Sequence, residues 1–286
     1  DFNTSGSQDN TIFTGQIDLS APLTSGAFDW GLKVSDITTS SAQEFFDQTA
    51  QGAVLNPNLS DGFRYQENIF EAYFNIAREW EQWSIDLGLR AEQTEVKATS
   101  KRLGEDNNQY YFELFPKMSL LYSANQNNSF GFSYSRSISR PNYESLNPFR
   151  YFINENNYTD GNPSLAPEID SKYTFSYTYN NTWFLEAYYW HIKNPLEELR
   201  FQNNTTRALQ NLETNLIEGY QYSLDVTYAK SVRSWCYLQV VASGFFIENE
   251  FFALQSAQET ALANTYGFYG QIYSAVSYTH LRAHET

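Results

Sequence analysis

Residues 83–92 decide the fold: they read WSIDLGLRAE. Trp83, Ile85, Leu87 and Leu89 occupy every second position and alternate with Ser, Asp, Gly and Arg. Because successive side chains of a β-strand point to opposite faces of the sheet, this segment has one apolar face and one polar face. The pattern predicts an amphipathic strand, since a helix would space its apolar positions three and four residues apart.

The same alternation recurs along the whole chain. It predicts about eleven strands, near residues 11–20, 26–36, 66–78, 83–97, 110–123, 129–138, 170–179, 182–193, 217–229, 235–248 and 265–275. Soluble strands are usually about 5–6 residues long, whereas tilted strands that cross a bilayer need about 9–11. Most of the predicted strands have the greater length, which favours a membrane protein.

The connections between these strands alternate in length. Short ones are expected near residues 21–25, 79–82, 124–128, 180–181 and 230–234, and long polar ones near 37–65, 98–109, 139–169, 194–216 and 249–264. Outer-membrane barrels have short periplasmic turns at one rim and long extracellular loops at the other. We therefore predict an all-β fold: an antiparallel transmembrane β-barrel, incomplete in this chain, with short periplasmic turns and long extracellular loops.

The composition agrees with a barrel and excludes other classes of protein. Of the 286 residues, 17 % are aromatic, with 22 Tyr and 22 Phe, as expected where aromatic girdles meet both membrane interfaces. No apolar run approaches the roughly 20 residues that a membrane-spanning helix needs. The net charge of −15 leaves no basic stripe for nucleic acid. The single cysteine, Cys236, excludes a disulfide framework.

One face of the predicted strands supplies the candidates for contact with outer-membrane lipid. The candidate lipid-facing or girdle residues are Trp30, Leu32, Trp83, Ile85, Leu87, Phe130, Phe132, Tyr134, Phe175, Tyr177, Trp183, Leu224 and Val226. The opposite face carries small polar residues and carboxylates such as Glu67, Glu71 and Glu92, which could line a lumen. Alternation alone also fits a soluble carbohydrate-binding β protein, in which the aromatic residues would be stacking platforms. Membrane fractionation separates these two alternatives.

Several short motifs carry a family resemblance. They are GLRAEQT (88–94), LFP (114–116), YSRSISRP (134–141), LNPF (146–149) and GNPSLAPE (161–168), in this order. The set resembles the outer-membrane β-barrel family related to TonB-dependent receptors, and the resemblance covers roughly residues 10–275. The matching motif residues are Gly88, Leu89, Arg90, Glu92, Thr94, Phe115, Pro116, Arg136, Arg140, Pro141, Asn147, Pro148, Gly161, Asn162, Pro163, Leu165, Pro167 and Glu168.

The resemblance implies a location, a function and partners. The location is the bacterial outer membrane, where a barrel of about 22 strands surrounds an N-terminal plug. The function is binding of an extracellular ligand and its uptake, energised by a TonB-type protein. No plug is recognisable in this chain, so the partners are outer-membrane lipid, the missing plug, the energising protein and an unknown ligand. A non-transporting adhesin or scaffold barrel is the alternative.

The long loop between residues 139 and 169 is the candidate ligand loop. Tyr151, Phe152 and Tyr158 are its candidate contact residues. The Arg140-Pro141 pair is expected to end a strand, because proline cannot donate to a sheet ladder. Arg140 and Glu168 are candidates for an ion pair across the base of the loop.

The end of the chain differs in character from the rest. Residues 276–286, VSYTHLRAHET, resemble a translated sequencing adapter, so we assign residues 1–275 to the partial barrel and 276–286 to a non-native tail. His280 and His284 belong to that tail and are not interpreted as a metal pair. His191 is then the one remaining histidine, and no nucleophile accompanies it. We predict no enzyme activity, no cofactor and no metal.

Overall fold

The computed structural model describes residues 2–252 and 260–276. Within these ranges the chain forms sixteen strands and one four-residue helix. Their bounds are β1 (Phe2–Leu23), β2 (Gly26–Thr49), β3 (Gly52–Leu55), β4 (Asp61–Glu79), β5 (Trp83–Ser100), β6 (Glu105–Asn125), β7 (Asn128–Ser139), α1 (Tyr143–Leu146), β8 (Arg150–Asn154), β9 (Asn157–Asp160), β10 (Glu168–Tyr179), β11 (Trp183–Lys193), β12 (Leu196–Asn203), β13 (Ala208–Asn215), β14 (Glu218–Arg233), β15 (Cys236–Phe251) and β16 (Ala261–Val276). In this part of the chain, no helix has the length and apolar character to span a membrane.

Eleven long strands form one open antiparallel sheet. Their order is β1-β2-β4-β5-β6-β7-β10-β11-β14-β15-β16, and short β3 adds to β2. Every long strand pairs with its nearest long neighbours in the chain, as expected of an up-and-down barrel wall. The predicted fold class is confirmed, because the structure is all-β, antiparallel and not closed within the described residues. Of the predicted tail, Val276 ends β16, and residues 277–286 lie outside those residues.

The turns at one end of the sheet are two or three residues long. Asn180 and Asn181, between β10 and β11, have φ values of 57° and 49°. Asparagine tolerates this left-handed conformation better than other non-glycine residues do. The Thr182 N–H closes the turn by donating to the Tyr179 carbonyl oxygen at 3.0 Å. Such turns fix the register of the paired strands, because two positive φ values match the strand twist.

The register separates the sheet into an outer and an inner face. On β5 the odd-numbered residues, such as Trp83, Leu87 and Ala91, lie on the outer face, and the even-numbered residues lie on the inner face. The cross-strand partners of Leu87 are Ile76 of β4 and Met118 of β6. Residues directly opposite each other share a face. The pairing places all thirteen candidate lipid-facing or girdle residues on the outer face.

Aromatic residues line up in rows across the outer face. Near the short turns, Trp83 packs on Tyr122 with ring centroids 4.3 Å apart, and Phe130 packs on Tyr177 at 4.9 Å. Farther along, Tyr134 lies 4.5 Å from Tyr173. Cross-strand aromatic pairs of this kind contribute roughly 0.2–1 kcal/mol each. The rows therefore stabilise the register, and their role as a membrane girdle stays a prediction.

Several strands extend farther than the sequence pattern predicted. The interval 37–65 was expected to be a loop, but β2 continues to Thr49 and β4 begins at Asp61. The sequence here is rich in Ser, Thr and Gln, so neither face is apolar and the alternation disappears. Pairing satisfies the backbone hydrogen bonds regardless of side-chain type, which is why the ladder continues.

The two longest connections contain a second sheet, which we call the loop sheet, so their prediction as loops was wrong. It has four strands in the order β12-β13-β9-β8, and β13 pairs with β9 in parallel. The Asn215 side chain joins the two connections, since its Oδ1 accepts from the Ala166 N–H at 2.8 Å and its Nδ2 donates to the Ala166 carbonyl at 2.9 Å. These strands are only 4–8 residues long and two of them pair across about fifty residues, so local periodicity could not reveal them.

The main hydrophobic core lies on the inner face, far from the short turns. Residues 140–167, which we call the strap, fold back over the inner face of β4, β5 and β6. The strap buries Leu146, Phe149 and Leu165 against the sheet, in a cluster completed by Phe63, Tyr65, Val96 and Ala98.

Candidate functional site

The strap begins with a short capped helix. Its first two residues, Arg140 and Pro141, follow β7 directly, as the sequence predicted. Asn142 is the N-cap of α1, and its side-chain oxygen accepts from the Ser145 N–H at 2.8 Å. The Asn147 N–H donates to the Tyr143 carbonyl at 3.0 Å and ends the helix. The LNPF motif thus positions two apolar anchors, Leu146 and Phe149, on the inner face.

Asn147 and Gly161 bring two motifs of the strap together. The Gly161 N–H donates to the Asn147 carbonyl at 3.1 Å, and the Asn162 N–H donates to the Ser145 carbonyl at 2.6 Å. A Cβ atom at Gly161 would overlap the Asn147 carbonyl oxygen and lie 2.8 Å from the Ser145 oxygen. Both are backbone atoms and cannot move aside, so this position requires glycine.

Replacing Gly161 by alanine is therefore expected to loosen the strap. Overpacking of this kind costs about 1–3 kcal/mol. Limited proteolysis of the folded full-length protein should show faster cleavage within 140–167. Gly244→Ala is the matched control, because a Cβ atom there meets nothing within 4 Å. Equal cleavage rates for the two variants would contradict the role of Gly161.

Beneath the strap, charged residues form a row across four strands. Lys33, Glu71, Glu92 and Glu113 are directly opposite one another on β2, β4, β5 and β6. Like charges in directly opposite positions destabilise a sheet. Three neighbouring carboxylates therefore need nearby cations to offset their mutual repulsion.

Arginines on both sides supply those cations. Arg90 lies 3.8 Å from both Glu71 and Glu92, and Lys33 lies 3.3 Å from Glu71. Arg136 bonds to Glu113 at 2.5 Å. The guanidinium groups of Arg90 and Arg136 also lie over the Phe115 ring, at 4.6 and 5.6 Å from its centroid. The three cations thereby balance the three carboxylates of the row.

Arg140 connects the strap to this row. Its Nε donates to Glu67 at 2.8 Å, and its Nη2 donates to Glu92 and, at 3.2 Å, to the Thr94 hydroxyl. Thr94 in turn donates to Glu92 at 3.1 Å. Glu92 is 1 % exposed and Glu67 5 %. We call Arg140, Glu67, Glu92 and Thr94 the strap anchor, because they join the first residue of the strap to the wall.

The motif residues are distributed between the wall and the strap. In the wall, the inner face carries Gly88, Arg90, Glu92, Thr94 and Phe115, and the outer face carries Leu89 and Pro116. Arg136 lies in β7 and Glu168 starts β10. The strap contains the rest: Arg140, Pro141, Asn147, Pro148, Gly161, Asn162, Pro163, Leu165 and Pro167. Pro116 stands where pairing of β6 with β7 stops, since the register begins at Lys117. The GLRAEQT and YSRSISRP motifs meet at the strap anchor, although they are 46–48 residues apart.

The expected ion pair between Arg140 and Glu168 is not formed. Arg140 bonds to Glu67 and Glu92 instead. Glu168 accepts from the Leu196 N–H at 3.1 Å and so holds the start of β12. The strap carries Arg140 inward across the sheet, away from the strand that Glu168 begins.

Burial changes the acidity of groups around the strap anchor. Glu67 lies beyond Phe70, the last large apolar residue on the outer face of β4, and so outside the expected membrane-spanning segment. Desolvation raises the pKa of the Glu67 carboxyl, and the Arg140 charge opposes that rise. Burial likewise raises the pKa of the Tyr143 phenol, which bonds to the Ser41 hydroxyl. The Arg140 charge therefore offsets part of the cost of burying the Glu67 carboxyl.

The three candidate ligand-contact residues have different surroundings. Phe152 packs 6.1 Å from Phe45 and 5.9 Å from Tyr158, so it supports the loop sheet. The Arg150 guanidinium lies 4.1 Å above the Tyr158 ring. Tyr151 is 49 % exposed, and burial of the rest of its side chain raises the pKa of its phenol. Tyr151 is thus the one of the three with a ring open to a ligand.

Sequence reasoning identified part of the site. It placed Glu67, Glu71 and Glu92 on polar faces, but it missed Lys33 and Glu113 and the link to Arg140. Lys33 and Glu113 could have been identified from the sequence, because the alternation assigns both positions to the polar, inner face of their strands. His191 lies on the outer face, 4.9 Å from the Tyr220 ring. In the described ranges, no group of three or more His, Cys, Asp or Glu could hold a metal ion; His280 and His284 lie outside them.

Comparisons with known proteins agree with this architecture. The sequence profile described as "Outer membrane protein beta-barrel family" matches residues 1–281. No curated protein sequence matches the chain significantly. Among solved structures, the copper transporter OprC is similar, with 9 % sequence identity and a TM-score of 0.60 over 93 % of this chain and 48 % of that one. The ferric yersiniabactin uptake receptor FyuA from Yersinia pestis has 9 % identity and a TM-score of 0.53 over 96 % of this chain and 47 % of its own.

At such low sequence identity, these structural similarities show a shared fold alone. The chain spans about half the length of both solved structures.

Proposed function

The chain belongs to the outer-membrane protein β-barrel family, and on that basis we propose that it is part of the barrel wall of an uptake receptor. Its location is the bacterial outer membrane, which removes the soluble carbohydrate-binding alternative. In the proposed receptor the outer face contacts lipid, and the loop sheet and strap bind an extracellular ligand. We propose that residues 1–275 belong to this wall together with Val276, which ends β16, and that the foreign tail follows them. We propose no enzymatic activity, cofactor or metal.

One observation carries the proposal: the strap folds inward and is held there by buried charges. An adhesin needs its long loops outside the barrel, where a partner cell can reach them. Here residues 140–167 instead cover the inner face, with Glu92 and Glu67 buried beneath Arg140. A segment over the inner face narrows the path through a barrel and favours controlled passage over display.

The proposed partners follow from this arrangement. A closed barrel needs further strands, because an open sheet edge is not stable in lipid. We propose that an N-terminal plug fills the lumen against the charged row, and that a TonB-type protein moves the plug. The inner-face charges, which are exposed toward the lumen at Lys33 and Arg90, would give the plug polar contacts.

Binding of the energising protein tests this function without a known ligand. The full-length receptor in detergent should bind the periplasmic domain of the TonB-type protein from the same cell, and deletion of the TonB box should abolish that binding. The reading frame around this chain should encode a plug and the box upstream of the strands. A signal peptide joined directly to strands, with no binding, would contradict import and support a scaffold barrel.

A further inference from the structure

β6 has no neighbouring strand on one side at its end far from the short turns. It pairs with β5 from Glu105 to Tyr122, but with β7 only from Lys117 onward. At that register Ser139, the last residue of β7, would lie opposite Glu113, so residues 105–112 project beyond the end of β7. In the part of the chain that the structure describes, no strand pairs with this side of them. We call residues 105–112 the free edge.

Two side-chain contacts show which backbone groups point away from β5. Gln93, on β5, donates to the Tyr111 carbonyl at 2.9 Å, whereas Arg136, on β7, donates to the Leu114 carbonyl. Successive residues of a strand direct their N–H and C=O groups to alternate sides, so odd-numbered residues bond toward β5 and even-numbered residues point the other way. The even-numbered residues from 106 to 112 therefore present a row of unpaired backbone groups, which is a template for a further strand.

The sequence of the free edge lacks the usual protection against strand pairing. Exposed edges are commonly blocked by charged residues, prolines or bulges. Residues 107–112 read NNQYYF, with neither a charge nor a proline. By contrast β12, at an edge of the loop sheet, reads LEELRFQN and carries charges at Glu197, Glu198 and Arg200. Uncharged segments of Asn, Gln and aromatic residues are typical of strands that pair closely with other chains.

Two aromatic rings lie beside the free edge on the outer face. Tyr110 is 70 % exposed and Phe112 is 59 % exposed. Their opposite residues on β5 are Glu95 and Gln93, which lie beyond the apolar band that ends at Ala91. Contact with lipid therefore does not account for these rings. Exposed apolar surface next to an unpaired edge is typical of a protein-binding site.

The strap restricts the side from which a partner can approach. The Gln109 side chain, on the inner face of β6, donates to the Leu165 carbonyl of the strap at 2.8 Å. The inner side of the free edge is thus covered, and the two exposed rings are on the other side. A partner that pairs with β6 approaches from outside the barrel.

The geometry of the membrane excludes a second copy of this protein as that partner. Two copies in one membrane are related by rotation about the membrane normal, so their β6 strands run in the same direction along it. Because each strand is tilted by about 35–45°, the two would cross at about 70–90°. Neighbouring strands of a sheet differ by only about 20–25°. The edges of two copies therefore cannot form a ladder, and the partner is a different protein.

We propose that the free edge binds an extended segment of an extracellular protein, which adds to β6 as an antiparallel strand. The added strand runs in the same direction as β7, and its backbone groups bond to the even-numbered residues of the free edge. Its apolar side chains pack beside Tyr110 and Phe112, and a lysine or arginine lies near Asp106. This interaction goes beyond the proposed uptake function and does not depend on it.

Peptide selection against the full-length protein in detergent tests the proposal. The probe is a phage-displayed library of random dodecapeptides, and the enriched peptides are synthesised and their affinities measured by fluorescence anisotropy. The enriched sequences should have apolar residues at every second position. Asn108→Pro should weaken their binding at least tenfold, because proline has no N–H to donate to the added strand. The double variant Tyr110→Ser, Phe112→Ser should weaken it to a similar extent.

Asn108→Ala is the matched control, because it keeps the backbone N–H and should bind the peptides as the wild type does. An unchanged melting temperature shows that the variants fold. Hydrogen exchange supplies a second measurement: a bound peptide should slow the exchange of the even-numbered amides from 106 to 112, while β5 already protects the odd-numbered ones. Failure to enrich any peptide, equal affinities for Asn108→Pro and Asn108→Ala, or slowed exchange only elsewhere in the protein would overturn the proposal.

Discussion

Replacing Leu87 by arginine is expected to lower the free energy of unfolding of the membrane-inserted protein by about 2–4 kcal/mol. Leu87 is the middle one of five apolar residues on the outer face of β5, between Trp83 and Ala91. Its neighbours across the strands are Ile76 and Met118, so no acidic side chain lies directly opposite. An arginine at mid-depth in lipid would have to reach an interface, which strains the side chain and the bilayer.

Denaturant unfolding of the protein in phospholipid vesicles measures this cost. Phe132→Arg, on the outer face of β7, should behave in the same way. Glu95→Arg is the matched control, since Glu95 is on the same face and strand as Leu87 but beyond the apolar band. Near an interface the same substitution costs only about 0–1 kcal/mol. Equal destabilisation by Leu87→Arg and Glu95→Arg would show that the outer face does not enter lipid.

Removal of the Arg140 side chain is the second large expected effect. Arg140→Ala leaves two buried carboxylates, Glu67 and Glu92, without the cation that bonds to both. Breaking a buried ion pair by removal of one partner costs about 3–5 kcal/mol. The strap is expected to leave the inner face, because that releases the carboxylates to water. The long-strand sheet should keep its fold.

Hydrogen exchange and limited proteolysis of residues 140–167 report this change. A cost of about 3 kcal/mol corresponds to roughly a hundredfold faster exchange through strap opening. The triple variant Arg140→Met, Glu67→Gln, Glu92→Gln removes all three charges and should restore most of the protection, since neutral groups need no counter-ion. Arg64→Ala is the control, because Arg64 is exposed on the outer face of β4, on the opposite side of the sheet from the strap. Wild-type protection in Arg140→Ala would contradict the strap anchor.

The sequence predicted the parts of the fold that local alternation encodes. The eleven long strands and the shared face of residues such as Leu87, Phe132 and Val226 follow from period-two patterning. The ends of β2 and the whole of the loop sheet did not follow, because polar strands of Ser, Thr and Asn have no contrast between their faces. The family motifs also included Glu92 and Arg140, which meet in the strap anchor.

What the sequence could not predict was which charges meet. Arg140 is 48 residues from Glu92 and 73 from Glu67, and only the backward fold of the strap brings them together. Glu168, which is nearer along the chain, was the expected partner of Arg140, and that prediction was wrong. Ion pairs of this range depend on register and strap geometry, neither of which leaves a local pattern. The charged row itself could be inferred once the register was known.

In the proposed receptor the outer face of the sheet lies in lipid, and β5 allows the most direct test of this placement. The full-length protein carrying Cys236→Ser would be spin-labelled at single cysteines placed in turn at residues 83–99 and reconstituted in vesicles. Oxygen accessibility should alternate with a period of two, be high at odd positions up to Ala91, and give way to accessibility to a water-soluble nickel chelate at Glu95 and Lys97. The absence of that alternation, or high nickel accessibility at Leu87, would contradict a membrane-facing wall.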